Sequence, residues 1–283
     1  MSEYAWERTQ RLLGAQAMQC LANSHVAVFG IGGVGGYAVE VLARSGVGTL
    51  TLVDHDRVAR SNLNRQIFAL HSTLGQYKVD AAAIRIADIA PDCHVHLRRS
   101  FFSEENAGTF DFTAFDFVID AIDSVNSKIS LILHVLNAKV PIISSMGAGN
   151  KLDASAFRLA DLAHTRVCPL ARVIRRELKR HDIHHLPVVY SEEPPQIPKT
   201  AADPMNNVMR RQIGTDDLPT QTFADMDHAT AETKAPSDSA ADTRRTSPGS
   251  VAFVPAAAGL VLGGSVVRAL TDPHFHLPGS KSI

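Results

Sequence analysis

The feature that most constrains this chain is the apolar run His25-Val26-Ala27-Val28-Phe29, which opens directly into Gly30-Ile31-Gly32-Gly33-Val34-Gly35. A strand that turns through glycines into a helix brings backbone N–H groups and the positive helix end to one point, where a nucleotide's phosphates can approach. Alone, such a turn is a weak signal, because glycine-rich strand ends also serve packing. A second run over 48–53 ends at Asp54, placed to accept hydrogen bonds from ribose hydroxyls. Asp56, two residues on, reads as facing solvent. The next features are less common: Asn62-Leu63-Asn64-Arg65-Gln66, and then Lys78 at the start of a predicted helix. A helix start disfavours a cation unless an anion lies close by. Arg65 and Lys78 therefore suit a nucleoside triphosphate whose phosphates are under attack. Gly30, Gly32, Gly33, Gly35, Asp54, Asn62, Arg65, Gln66 and Lys78 form the candidate nucleotide site.

Strand and helix patterns alternate along the first half. Amphipathic spacing predicts a helix over 8–22, with Leu12, Leu13, Ala17 and Leu21 on one face. Helices are expected over 36–45, 77–89 and 128–137, and strands over 48–53, 95–97, 115–121 and 141–145. This order predicts an α/β fold, Rossmann-like and doubly wound around a mostly parallel sheet. Ligands in such sheets lie at the carboxyl ends of the strands. Asp120 and Asp123 fall where the central strand runs out. An acid there suits Mg²⁺, which keeps most of its waters and takes one or two carboxylates plus phosphate oxygens. Asp123, beyond the strand tip, is the better metal residue; Asp120 suits a turn cap.

With 283 residues, 45% hydrophobic and 20% charged, the chain can bury one generous core. A formal charge of -1 excludes a globally basic nucleic-acid binder, so a polyanion must be held by a local patch. The helix after Pro169 offers one: Arg172, Arg175, Arg176, Lys179 and Arg180 stand against Glu177, while Leu170, Val173, Ile174 and Leu178 recur at helical spacing. That face either binds phosphates or is simply solvated. The three cysteines, Cys20, Cys93 and Cys168, form no Cys-x-x-Cys pair, so neither structural zinc nor a disulfide framework is expected. Cys168 reads as packing, and His181, His184 and His185 lack the further ligands of a metal set. The first residues lack a signal peptide's apolar core, which makes the cytoplasm the default. Residues 251–270 are nearly uncharged and about as long as the ~20 residues of a membrane helix. They contain Pro255, three glycines and Arg268, however, so a helix buried against the sheet explains them as well; peripheral membrane contact stays open. From 199 to 249 the chain is rich in Thr, Asp, Ala, Ser and Pro and is expected to be disordered, as a loop crossing the active site or an idle spacer. The organisation expected is thus a nucleotide domain over 1–195, an insertion or crossover loop over 196–250, and an apolar helix packing on the core plus a tail over 251–283.

Arg11, the glycine turn, Asp54, Asn62, Arg65, Gln66, Lys78 and Asp123 together resemble the adenylating core of the E1-like (ubiquitin-activating-like) family. The resemblance covers roughly residues 8–165 and implies an E1-type C-terminal extension, ATP and Mg²⁺, and catalytic roles for Arg11, Arg65, Lys78 and Asp123, with Asp123 on the metal. It also implies a homodimer, in which Arg11 reaches the ATP of the neighbouring subunit. Five stretches, 61–70, 118–124, 145–149, 161–165 and 188–195, are similar to the tRNA threonylcarbamoyladenosine dehydratases within that family. This implies carboxylate adenylation followed by cyclising dehydration of a modified tRNA nucleoside, with tRNA as partner and 172–180 as a contact surface. The alternative is adenylation of a ubiquitin-like sulfur-carrier protein. Against that alternative, no cysteine follows Cys168, and a thioester-forming enzyme needs a thiol. A monovalent cation and a cysteine desulfurase or other sulfur-acceptor partner stay open.

Overall fold

The computed structural model describes residues 5–197 and 248–280. Contacts divide the chain into residues 1–196 with 249–283, and residues 197–248. Most of the predicted insertion, 198–247, lies outside the described residues. In the larger unit, seven strands form one sheet: β1 (His25–Phe29), β2 (Thr49–Val53), β3 (His94–Arg98), β4 (Phe117–Asp120), β5 (Ile142–Ser145), β6 (Phe157–Asp161) and β7 (Pro187–Ser191). Their order is β3-β2-β1-β4-β5-β7-β6, and every neighbouring pair is parallel except β6 with β7. The chain order reverses between β1 and β4, so these strands splay their following loops apart and leave a crevice at their carboxyl ends. In register, Phe29 stands opposite Asp120, which sets the glycine turn beside the turn that carries Asp123.

Alternation along the strands builds a core on each face. Val26, Val28, Leu50, Leu52 and Ile119 point to one side and pack with α3 (Gly35–Arg44), α4 (Lys78–Ile89) and α7 (Phe253–Thr271). Ala27, Phe29, Val53 and Val118 point to the other and meet α5 (Val125–Asn137) and α6 (Pro169–Lys179) through Leu131, Val135 and Ile174. Burial on both sides is why these strands read as continuous apolar runs.

The predicted helix over 8–22 is two helices, α1 (Glu7–Leu13) and α2 (Ala15–Asn23). Gly14 separates them with φ +88° and ψ 163°, a conformation outside the helical region that glycine enters at little cost. The break also corrects the expected apolar face: Ala17 and Leu21 are buried, but Leu12 is 85% exposed. Strands β6 and β7 were not legible as strands. β6 is an edge strand with exposed and half-buried positions, and β7 takes its place through pairing with β5 and β6.

Helix α7, with a mean hydropathy of 1.7 in its most apolar window, is long enough to cross a membrane, but half of that window is buried within the fold. Val254, Ala258, Leu262 and Val266 are fully enclosed. Gly259 and Gly263 let its backbone press onto α3: a Cβ at Gly259 would lie 2.3 Å from the Val34 carbonyl oxygen, and one at Gly263 2.7 Å from Val41 Cβ. Packing against α3 therefore accounts for the helix's apolar character.

Helices α3 and α4 are clasped by one charge cluster. Glu40 accepts from Arg85 Nε at 2.7 Å and Nη2 at 2.9 Å, and from Arg44 Nε at 2.7 Å. Burial opposes the Glu40 carboxylate, but its bonds to Arg85 and Arg44 outweigh that and hold its pKa below the ordinary 4.5. A lowered folded pKa contributes stability that is present above 4.5 and is lost as the pH falls through the folded value. Glu40→Gln should therefore lower the urea midpoint at neutral pH, and the gap from wild type should narrow progressively as the pH falls below 4.5. A gap that stays constant with pH would remove the clasp from the account of stability.

Candidate active site

The glycines at the crevice divide into those the backbone requires and those that leave room. Gly30 has φ +89°, and a Cβ there would lie 2.6 Å from the Ala121 carbonyl oxygen. A Cβ on Gly35 would lie 1.8 Å from the Gly30 carbonyl oxygen. Gly32 is different, since the nearest atom to an added Cβ is Gln66 Nε2 at 3.9 Å. Gly33 faces Pro255 of α7 and Arg65, at 3.3 and 3.5 Å. The outer lip of the turn is thus open toward Arg65 and Gln66, while its inner side is fixed against β4's turn.

Asp54, at the tip of β2, ties this lip down. Its Oδ2 accepts from Ile31 N at 2.7 Å and its Oδ1 from Asp56 N at 2.8 Å. Each oxygen keeps a further lone pair, so the same carboxylate can brace the turn and receive ribose hydroxyls.

The Asn62–Gln66 segment is a locally self-bonded turn. Asn62 Oδ1 accepts from Ala59 N at 3.0 Å, and Gln66 N donates to the Asn62 carbonyl at 3.0 Å. Asn62 and Gln66 are buried, whereas Arg65 is half-buried and donates to the Ser61 carbonyl at 2.8 Å and Asn64 Oδ1 at 3.0 Å. Lys78 opens α4 as expected, with its side chain only 7% exposed. Its Nζ donates to Asp56 Oδ2 at 2.6 Å, and its backbone N to the Asp56 carbonyl at 3.0 Å. Asp56 does face solvent, with its side chain half exposed, and it also pairs with this lysine. A nearly buried ammonium at a helix start needs a counter-charge, and in the free chain Asp56 supplies it.

Asp123 is exposed beyond β4, and Asp120 is completely buried. Asp120 Oδ1 accepts from Ile122 N at 3.1 Å, which is the turn-capping role. Its Oδ2 accepts from Lys128 Nζ at 2.8 Å and Ser144 Oγ at 2.6 Å. Sequence reading missed Lys128, because α5 begins at Val125 rather than at 128 and the lysine lies inside the helix, among apolar residues. A lysine in an apolar helical stripe was the available signal.

The remaining candidates stand apart from the crevice. Arg11 pairs with Glu7 on α1 and is 74% exposed. On α6, Arg172, Arg176, Lys179 and Arg180 are exposed. Arg175 is instead tied inward, its Nη1 donating to Thr165 Oγ1 at 2.6 Å and to the carbonyls of Leu162 and Thr165 at 3.1 Å, which corrects its assignment to a free basic surface. Glu177 pairs with both Arg176, at 3.0 Å, and Arg180, at 2.6 Å, and so reduces the face's net charge. His185 bonds Asp161 at 2.6 Å and His184 bonds Asp182 at 3.1 Å. Cys168 is buried at the start of α6.

Comparison with known proteins bears on this geometry. The profile of the ThiF family matches residues 5–277. The chain belongs to the ThiF family. It is 39% identical over 268 residues to the tRNA threonylcarbamoyladenosine dehydratase of Bacillus subtilis, covering 94% of each chain. Its fold is similar to that of the Escherichia coli tRNA N6-threonylcarbamoyladenosine dehydratase solved in complex with AMP, with a TM-score of 0.75, 29% identity, and coverage of 95% of this chain and 96% of that one. The structure of that E. coli protein in complex with ATP gives a TM-score of 0.74 at 29% identity and the same coverage. In this ThiF-family chain, then, the crevice between β1 and β4 is the site to be explained.

The two classes of glycine make opposite predictions. Gly35→Ala forces backbone apart and should cost roughly 1–3 kcal/mol, read as a lowered thermal midpoint. Gly32→Ala should leave the midpoint near wild type, because its Cβ enters open space. Equal losses in the two variants would contradict the division.

Proposed function

We propose that this chain is an ATP-dependent dehydratase that cyclises N6-threonylcarbamoyladenosine in tRNA after adenylating its carboxylate. The observation that carries the reading is the gathering around one crevice of an open glycine lip, Asp54 bracing it at the β2 tip, Arg65 and Lys78, in a chain that aligns over 94% of its length with a dehydratase. In the first step a substrate carboxylate oxygen attacks the α-phosphorus of ATP, and the bond to pyrophosphate breaks. In the second, a nucleophile already within the nucleoside attacks the acyl carbon and AMP leaves, carrying off the oxygen that is formally lost as water. Proximity within one nucleoside supplies much of the second step's advantage.

Each residue's role follows from its charge and place. The open lip at Gly32 receives phosphate oxygens on backbone N–H groups. Asn62 and Gln66 complete the lining beneath it. Arg65 and Lys78 stabilise the negative charge that grows on departing pyrophosphate, and Lys78 exchanges Asp56 for phosphate as ATP enters. Asp123, an exposed carboxylate on a turn fixed from below, fits the one-carboxylate, water-rich coordination of Mg²⁺, which when bound neutralises phosphate charge. No thioester is required: Cys168 is buried, and burial pushes the Cys93 thiol up to about 11. Arg172, Arg176, Lys179 and Arg180 are the candidate tRNA contacts, and α6 presents them outward. Unpaired cysteines and a tRNA substrate fit a reducing cytoplasm.

Pyrophosphate release measured with modified tRNA alone, with a ubiquitin-like carrier alone and with neither tests the substrate. Release with tRNA alone is expected; release with the carrier alone would favour sulfur-carrier activation. Arg65→Ala and Lys78→Ala should each slow turnover by roughly 10²-fold while the fold survives. Ser at Cys20, Cys93 and Cys168 together should leave the rate within a few-fold of wild type.

Arg11 is largely exposed and pairs with Glu7 one turn away on α1, which leaves it at a surface suited to action across a homodimer interface. Mixing inactive Arg11→Ala with inactive Asp123→Ala subunits should then restore part of the activity, since one composite site would hold both residues. No recovery, with subunit exchange demonstrated, would place Arg11 outside the chemistry.

A further inference from the structure

Lys128 and Asp120 are both completely buried, and the roles assigned above to the crevice do not require them. Their bonds join a helix, two strand ends and the turn before Asp123. Lys128 Nζ donates to Asp120 Oδ2 at 2.8 Å, to the Ser145 carbonyl at 3.0 Å and to Ser144 Oγ at 3.3 Å. This ties α5 to the carboxyl ends of both β4 and β5. Asp120 passes the constraint on through Oδ1, which accepts from Ile122 N at 3.1 Å, one residue before Asp123. The neighbouring Ala121 carbonyl is the group against which Gly30 rests. A buried ion pair is poor evidence of stability, because well-packed apolar residues of the same volume often serve as well or better. One that spans two strand tips and a helix beneath an exposed carboxylate has a geometric task instead.

We propose that Lys128 is a positioning residue for adenylation, and that through Asp120 it fixes the turn that holds Asp123 in place for the metal and the phosphates. The inference rests on the reading of Asp123 as the metal residue. Outer partners of metal ligands act in this way, and their loss weakens metal affinity or activity by about 10–100-fold.

Lys128→Met alone leaves an unpaired buried carboxylate and can fail to fold. The informative variant is therefore Lys128→Met with Asp120→Asn, which removes both charges, set beside Lys128→Arg, which keeps the cation. Calorimetric binding of ATP and of AMP to the full chain, titrated with Mg²⁺, gives a readout independent of turnover. In the folded double variant the Mg²⁺ concentration that half-saturates its effect on ATP binding should rise about 10–100-fold, while AMP affinity stays within about twofold. Lys128→Arg should recover much of the Mg²⁺ response. An unchanged Mg²⁺ response in the double variant, or equal losses for AMP and ATP, would overturn the proposal. Asp123→Asn separates the two levels. If it alters the Mg²⁺ response and the double variant does not, this inference alone falls; if it alters nothing, the metal role of Asp123 falls and takes this inference with it.

Discussion

The site depends on one close approach, that of Gly30 to the Ala121 carbonyl across the reversal between β1 and β4. Because nothing larger than hydrogen fits at that place, two loops from strands far apart in sequence share a wall. Everything else is arranged around that wall. Asp54 braces the glycine lip from the β2 side through Ile31 N, and Asp120 braces the opposite turn through Ile122 N. Two carboxylates, each accepting backbone N–H bonds, hold the two banks of one crevice. Preorganisation of this kind is what lets fixed donors act on developing charge without first having to move.

The two lysines near the crevice show how different surroundings give the same side chain different work. Lys128 is sealed, with three oxygen acceptors around its ammonium and a partner carboxylate that is equally buried. Such a pair has no room to exchange partners. Lys78 is also nearly buried, but its partner Asp56 is half exposed. An ion pair with one open side is weakly held by comparison, and a more highly charged anion can displace the carboxylate. One lysine is sealed in place, and the other keeps a partner that is open to solvent.

Much of the fold was legible because the central strands are buried on both faces, so Val26–Phe29 and Phe117–Ile119 stand out as apolar runs. The candidate site was legible in part because the glycine turn and Asp54 sit at the ends of β1 and β2 and Lys78 at the start of α4. What escaped was set by tertiary partners. Gly14 breaks a helix whose periodicity runs straight through it, and β6 and β7 acquire strand character from each other. The Lys78 partner of the exposed Asp56 lies in a different element, and Arg175 looked free because the Thr165 turn that holds it comes before α6 begins. Lys128 was hidden for the same reason, since its acceptors come from β4 and β5.

Helix α7 contributes Pro255 to the surroundings of Gly33, and the Ser250 carbonyl accepts from Asn64 Nδ2 at 3.0 Å. The glycine lip and the Asn62–Gln66 turn are thus finished by residues synthesised some two hundred positions after them. During translation, β1, β2 and the glycine turn emerge early but lack one wall and the helix that covers α3. A nascent chain stopped before residue 250 would leave the apolar face of α3 bare. The order of synthesis therefore couples two events: the moment the crevice gains its last wall is also the moment the apolar face of α3 is covered.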